Sequence, residues 1–480
     1  MYCRLFETPE LLRTVAEQAE SSRDAINLAC VCRCSFASCI SIAWRHVSSA
    51  IQLFSLLPGV RIEQSAEKTV IDLPESLTER DLLRFRFYAP FVKTLEITKR
   101  GTSIWRLRNW DWLFMYSRTR PLLPSLQTLA LTIKNHRLQC NCLPAPIWLT
   151  MFLSPSLLHF QAVSPPGYPD LTTPLGSYFV LRALADICPG LRTLGFFPTK
   201  NHVEKILTNG EWLYLLPFEE QFIKDRHLDP LLARLNCLTS LRTQGWILES
   251  LPLDTLPRLE WLDVDMHGNS SGDFQIPYAQ LISIKHLGIF RCKKDDILQM
   301  LPKSDIMLTS IEIHTELDNG LVYRMTSSLA TYCSLLLDLS LYCAGILQKI
   351  ETTSIAPLAL LPHLQRLRIT YLDIVPPNAS TDNIFSHINS LLPGLRALEF
   401  PHRVVRLSEL RDIIHSMPKL ERLALYIILE DPGNPELGQP NNSLRILASG
   451  FDWNLYLHGK NERDDIVENT VRLVAGTRFR

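Results

Sequence analysis

Apolar positions return along this chain in a fixed cadence. It reads "PSLQTLAL" from Pro124, "PGLRTLGF" from Pro189, "PRLEWLDV" from Pro257, "PHLQRLRI" from Pro362, "PGLRALEF" from Pro393 and "PKLERLALYI" from Pro418. Each is a proline, one residue, then Leu-x-x-Leu-x-apolar. The last two apolar residues are two apart, so they share one face of a strand, while the first Leu enters the same interior from the preceding turn. Looser copies fill the gaps: "FVKTLEI" from Phe91, "SLLHFQA" from Ser156, "SLRTQGW" from Ser240, "SIKHLGI" from Ser283, "LTSIEI" from Leu308, Leu336-x-x-Leu339-x-Leu341, and "SLRILAS" from Ser443. Counted from the first apolar residue of each phrase, positions 259, 284, 308, 336, 364, 395 and 420 step by 25, 24, 28, 28, 31 and 25. A return at this period marks a repeat array. The step from 191 to 241 is 50 and the next only 18, so a long insertion or a poorly written repeat falls there.

Between phrases the period changes to that of a helix. Ser408 is placed to cap a helix whose stripe is Leu410, Ile413, Ile414 and Met417, and Asp382 one whose stripe is Ile384, Phe385, Ile388, Leu391 and Leu392. Pro393 and Pro418 stop those helices. Each unit therefore reads as helix, proline turn, strand. One unit cannot bury its apolar side alone, and stacked units can. The expected fold is α/β: an irregular solenoid with a parallel sheet on its concave side.

The first fifty residues have another rhythm. Thr8 is placed to cap a helix beginning at Pro9, with Leu11, Leu12 and Val15 on its apolar side. Asp24 is placed to cap a second, through Ile26, Leu28, Ala29 and Val31, and a third runs through Phe36, Ile40 and Trp44. Three short helices build little core of their own, so this unit is expected to lean on something else.

The repeats over roughly 90–450 resemble the leucine-rich-repeat family. That family usually carries Asn or Cys eight residues after the first Leu; here those positions are Lys134, Thr199, His267, Cys292, Leu372, Arg403 and Ile428, so only Cys292 fits, and divergent repeats are expected. Pro9-Glu-Leu-Leu12, then Leu28-Ala-Cys-Val-Cys-Arg33, then Trp44, resemble an F-box, with Thr8 where the motif usually carries leucine. The resemblance implies docking on the Skp-family adaptor of an SCF-type cullin ubiquitin ligase. Pro9, Leu11, Leu12, Val15, Leu28, Val31, Cys32 and Trp44 would then be the adaptor-binding residues, by apolar packing and without chemistry. The expected organisation is an F-box over 1–50, a linker or capping segment over 51–90, the repeats over 91–450, and a C-terminal cap or tail over 451–480. The combination resembles the F-box proteins with divergent leucine-rich repeats found in fungi, which act as substrate-recognition adaptors and not as enzymes. The alternative is a repeat scaffold that binds a partner without any ligase.

Composition narrows the partner. Lys+Arg and Asp+Glu are 49 each, so no global field draws nucleic acid or an anionic membrane. No apolar stretch at the N-terminus reads as a secretory signal, and the 12 scattered cysteines read as reduced thiols of a cytoplasmic or nuclear protein. Leu329 to Leu347 is long enough to resemble a membrane span, but Asp338 interrupts it and the repeat phrase runs through it. No phosphate-binding, zinc-protease or hydrolase motif occurs. Cys30, Cys32, Cys34 and Cys39 lack metal-ligand spacing, and His136, Cys140 and Cys142 lack an evident fourth ligand, so neither metal nor cofactor is expected. Cys292 and Cys343 read as buried packing residues. What remains is the sheet face. The x positions beside the second Leu point outward, selecting Thr128, Ala130, Trp261, Asp263, Asp265, His286, Gly288, Phe290, Arg366, Arg368, Arg422, Ala424 and Tyr426. Of these, Trp261, Asp263, Asp265, His286, Phe290, Arg366, Arg368, Arg422 and Tyr426 are the candidate contacts to an unknown target protein, since Trp, Tyr and Arg dominate binding hot spots.

Overall fold

The computed structural model describes residues 8–19, 22–65, 68–97, 104–132, 149–163, 174–196, 205–208, 211–214, 229–248, 255–266, 276, 283–344, 348–375, 384–406, 413, 415–428, 443–449 and 452–458. The recurring proline does more than stop helices. In Leu123-Pro124-Ser125-Leu126 the Leu126 amide donates to the Leu123 carbonyl, and the same closure joins Leu191 to Cys188, Leu259 to Leu256, Leu364 to Leu361, Leu395 to Leu392 and Leu420 to Met417. Proline thus occupies the second position of a four-residue turn, where its fixed φ is already correct. The next two amides then donate to one carbonyl of the preceding turn, as Gln365 and Arg366 do to Leu337, and Arg396 and Ala397 to Gln365. This device sets each strand in register before its ladder begins.

The chain forms two compact units, Met1–Ser271 and Gly272–Arg480. In the first, seven strands run parallel in sequence order: β1 (His46–Val47), β2 (Thr94–Glu96), β3 (Thr128–Thr132), β4 (His159–Val163), β5 (Thr193–Phe196), β6 (Ser240–Gln244) and β7 (Trp261–Asp265). In the second, β8 (His286–Cys292), β9 (Ser310–Thr315), β10 (Asp338–Cys343), β11 (Arg366–Thr370), β12 (Ala397–Arg406) and β13 (Arg422–Ile428) are parallel. A hairpin, β14 (Ser443–Ser449) and β15 (Asp452–His458), then pairs antiparallel with β13. The fold is mixed α/β with a large parallel sheet. The core is the leucine ladder: Leu287, Ile311, Leu339, Leu367, Leu398 and Leu423 stand in register and are at most 3% exposed.

Several sequence expectations change. Leu241 pairs with Leu194 and Leu262, so it is the second Leu of its phrase and Leu238 is the first. The anomalous steps then become 47 and 21. "SLRILAS" lies in antiparallel β14 rather than in a parallel repeat, and β15 falls within the expected tail. The stretch from Leu329 begins in the helix Asn319–Tyr332, turns, and continues as β10. Among the described residues no helix is long and apolar enough to cross a membrane. Helix, turn, strand does not hold for every unit either: Thr352–Leu360 and Ile297–Gln299 are 3₁₀ segments. Ile384, Phe385 and Ile388 do form the buried stripe of the helix Ile384–Leu391; the proposed caps Asp382 and Ser408 lie outside the described residues.

At the N-terminus stand three helices, α1 (Pro9–Glu17), α2 (Ser22–Ala29) and α3 (Arg33–Ala43). Thr8 takes the extended N-cap backbone without a side-chain capping bond, and Asp24 lies inside the first turn of α2 rather than at its cap. Cys32 caps α3, its sulfur accepting from the Ser35 amide at 3.4 Å. The segment expected as a linker or cap over 51–90 carries regular structure. It holds the helices Ala50–Phe54 and Leu83–Tyr88 and two strands, Arg61–Gln64 and Lys68–Asp72, of a small three-stranded sheet.

Candidate interaction surfaces

Helix α1 carries two apolar stripes. Leu12 and Ala16, four apart, point inward and are 0% and 2% exposed; they meet Ala29 and Cys39, with Leu28, Phe36 and Ile42 packed around them. Alanines at the contact let the helix axes approach, and the Cys39 thiol donates to the Leu12 carbonyl at 3.7 Å, tying α3 to α1. Leu11 and Val15 are also four apart, rotated by one residue, and stand 51% and 45% exposed. Ile26 and Val31 on the same small unit are exposed as well. These exposed apolar side chains make the unit a candidate docking surface.

The eight expected adaptor residues therefore divide. Pro9, Leu11, Val15 and Val31 are exposed. Leu12 is core and Leu28 is half-buried against that core, so neither is presented outward. Trp44 is turned to the body of the chain, its ring 4.5 Å from that of Tyr88. Cys32 is exposed, but its role is the cap, where the Ser35 hydroxyl and amide hold its thiol below the ordinary range. Sequence reasoning left out Ile26 and also Phe87, which stacks on Phe36 at 6.2 Å and remains half-exposed. The i,i+4 spacing of Leu83 and Phe87, both exposed on the helix Leu83–Tyr88, was the available signal.

On the sheet, the alternation predicted from the phrases holds in β9 and β10 and is lost in β7 and β8, where most outward positions are buried as well. In β9 and β10 every second residue is buried, and Ser310, Glu312 and His314 share the outward face with Asp338, Ser340 and Tyr342. Toward the C-terminal ends of the strands an aromatic row forms. Phe290 lies 4.5 Å from His314, His314 stacks on Tyr342 at 4.5 Å and 15°, and Tyr342 meets Tyr371 edge-on at 5.2 Å. Tyr371 has φ +59°, a left-handed conformation that costs a bulky residue about 1–3 kcal/mol and that packing must hold in place. Behind this row lies a row of charge. Arg366 pairs with Asp338 at 3.0 Å, and Glu399 lies between Arg368 at 3.6 Å and Arg422 at 3.2 Å. Glu312 meets His314 at 2.6 Å, and that hydrogen bond holds its carboxyl below the usual range against the effect of burial. Burial pushes the Asp338 carboxyl up, with Arg366 opposing.

Of the expected target contacts, Arg366, Arg368 and Trp261 are exposed and Arg422 is half-exposed. His286 and Phe290 are buried, at 6% and 9% exposed, which corrects their assignment as open contacts, and the His286 ring bonds to the Ser310 hydroxyl at 3.0 Å. Asp263 and Asp265 prove 8% and 5% exposed, which corrects their assignment as open contacts; Asp263 lies 3.6 Å from Arg242. Tyr426 belongs to β13, its side chain outside the described residues. Glu312, His314, Asp338, Tyr342, Tyr371 and Glu399 were missed, although the rule that selected the others, applied to the phrases at 308 and 336, reaches the first four.

Among the described residues no three His, Cys, Asp or Glu side chains are grouped to hold a metal, and His136, Cys140 and Cys142 lie outside them. Cys292 and Cys343 are buried at 5% and 0%, and burial pushes the Cys292 thiol up to about 12. No protein-family model matches the chain, and no curated protein matches it.

Proposed function

We propose that this protein is a substrate-recognition adaptor of an SCF-type ubiquitin ligase. Its N-terminal helices act as an F-box on a Skp-family adaptor, which links it to the cullin scaffold. The parallel sheet, read as a leucine-rich-repeat array, holds the target protein. The chain catalyses nothing itself; it raises the target's local concentration beside the ubiquitin-carrying enzyme. One observation carries this reading: the second apolar stripe of α1, Leu11 and Val15, is left exposed while the first closes the unit's own core. A unit that merely capped the sheet would turn that stripe inward.

The test is co-expression with a Skp-family adaptor, comparing wild type with a Leu11→Asp, Val15→Asp double variant. Leu12 is left intact because it is core. The expected result is stoichiometric capture by wild type and loss of capture by a variant with an unchanged circular dichroism spectrum. A folded wild type that captures no adaptor overturns the ligase reading. The packing of Trp44 and Phe36 on Tyr88 and Phe87 then favours the second reading, a scaffold whose N-terminal helices only cap it.

A further inference from the structure

The charged row of the second unit is layered. The acids lie low: the Glu399 side chain is 11% exposed and that of Asp338 26%. The arginines they hold stand higher, Arg368 at 51%, Arg366 at 44% and Arg422 at 37%. Three guanidiniums rest on two carboxylates, and the next acid along the row, Glu312, is engaged by His314. A carboxylate beneath a guanidinium fixes its direction and leaves its remaining N–H donors for a second anion. The outer surface of this face is therefore cationic although the residues beneath it balance. Beside it runs the aromatic row Phe290, His314, Tyr342 and Tyr371, whose rings contact one another across neighbouring elements, His314 and Tyr342 stacked and Tyr342 and Tyr371 edge-on.

We infer that this face takes an acidic peptide segment bearing an aromatic side chain, the aromatic ring on the Tyr342 row and the carboxylates on Arg366, Arg368 and Arg422. The inference rests on the reading of the sheet as the target surface and names the chemical class of that target. The geometry sets the spacing. Neighbouring strands are about 4.8 Å apart, so β10 and β13, three strands on in the sheet, are separated by about 14 Å. An extended chain covers that in about four residues at about 3.4 Å each. The recognised segment is thus short, with its acids within about four residues of the aromatic. Apolar contact at the rings supplies the anchor, and the arginines select against basic sequences.

The experiment is fluorescence polarisation with the full chain and a labelled heptapeptide, phenylalanine flanked on each side by three aspartates. Two control peptides replace phenylalanine with alanine, or the aspartates with lysines. Saturable binding of the first peptide is expected, at least tenfold weaker for each control, and weakening as salt rises from 50 to 300 mM. Arg368→Gln and Tyr342→Ala should each weaken it at least tenfold, with folding checked by circular dichroism. The control peptides keep the test decisive if a variant fails to fold. Equal or tighter binding of the lysine peptide, or no binding of any peptide at millimolar concentration, overturns the inference. So does binding of a labelled single-stranded oligonucleotide without binding of the acidic peptide, which would assign the arginines to nucleic acid. Adaptor capture is scored on the same preparations. Loss of peptide binding with capture intact refutes this inference alone, and loss of capture with peptide binding intact refutes the ligase reading alone.

Discussion

Leu11 and Leu12 are adjacent in sequence and chemically identical, yet truncating them is expected to have different consequences. Leu12 is 0% exposed inside the three-helix unit, so Leu12→Ala removes buried methyls and leaves a cavity, at a cost of about 2–5 kcal/mol. Leu11 is 51% exposed; half of its surface is already in water, so Leu11→Ala forfeits about 1 kcal/mol or less. Native-state hydrogen exchange of the α1 and α3 amides reports the opening of this unit without requiring the whole chain to unfold. The Leu12→Ala cost corresponds to exchange faster by roughly 30-fold to a few thousandfold, capped by the unit's own stability, against less than about tenfold for Leu11→Ala. Adaptor capture is expected to behave in the opposite way: Leu11→Ala weakens it in a folded protein, while Leu12→Ala weakens it only through unfolding. Equal exchange for the two variants would refute the two-stripe account of α1, and with it the observation behind the proposed function.

Three further outcomes follow from particular contacts. Thr315, 1% exposed, donates to the Cys292 carbonyl at 2.7 Å, so Thr315→Val strands that carbonyl and is expected to destabilise the second unit by about 1–3 kcal/mol in urea melts. Glu312 has its carboxyl lowered by the His314 hydrogen bond, so its contribution is present above the unfolded carboxylate range and lost as pH falls through the lower folded value. Glu312→Gln should accordingly flatten the loss of stability below about pH 4.3 relative to wild type, seen as melting temperature against pH. Iodoacetamide on the native protein, read by peptide mass spectrometry, should modify the exposed Cys32, whose thiol is lowered, well before Cys188, Cys292 and Cys333, which are buried and pushed up to about 12.

The period of apolar residues was enough to locate strands β2 to β13 of the parallel sheet and their inward leucines, because a Leu at every second position must be buried together with its neighbours or not at all; β1 and the strands of the small sheets carry no such phrase. Leu339, Leu367 and Leu398 were legible for that reason, and so was the outward setting of Arg366 and Arg368. The connectors were less so: Thr352–Leu360 and Ile297–Gln299 became 3₁₀ turns because short apolar runs commit weakly to one local form. β14 and β15 run antiparallel through a pairing between segments that no phrase encodes. The N-terminal pattern marked both Leu11 and Leu12 as apolar, but which of them closes the core depends on where α3 presents Cys39 and Phe36. The aromatic row from Phe290 to Tyr371 draws on segments up to 81 residues apart. Sequence determined that the strands would stack with one face apolar. Only the lateral register of the assembled sheet decided which outward residues became neighbours, because cross-strand contacts are set by pairing in space and not by distance along the chain.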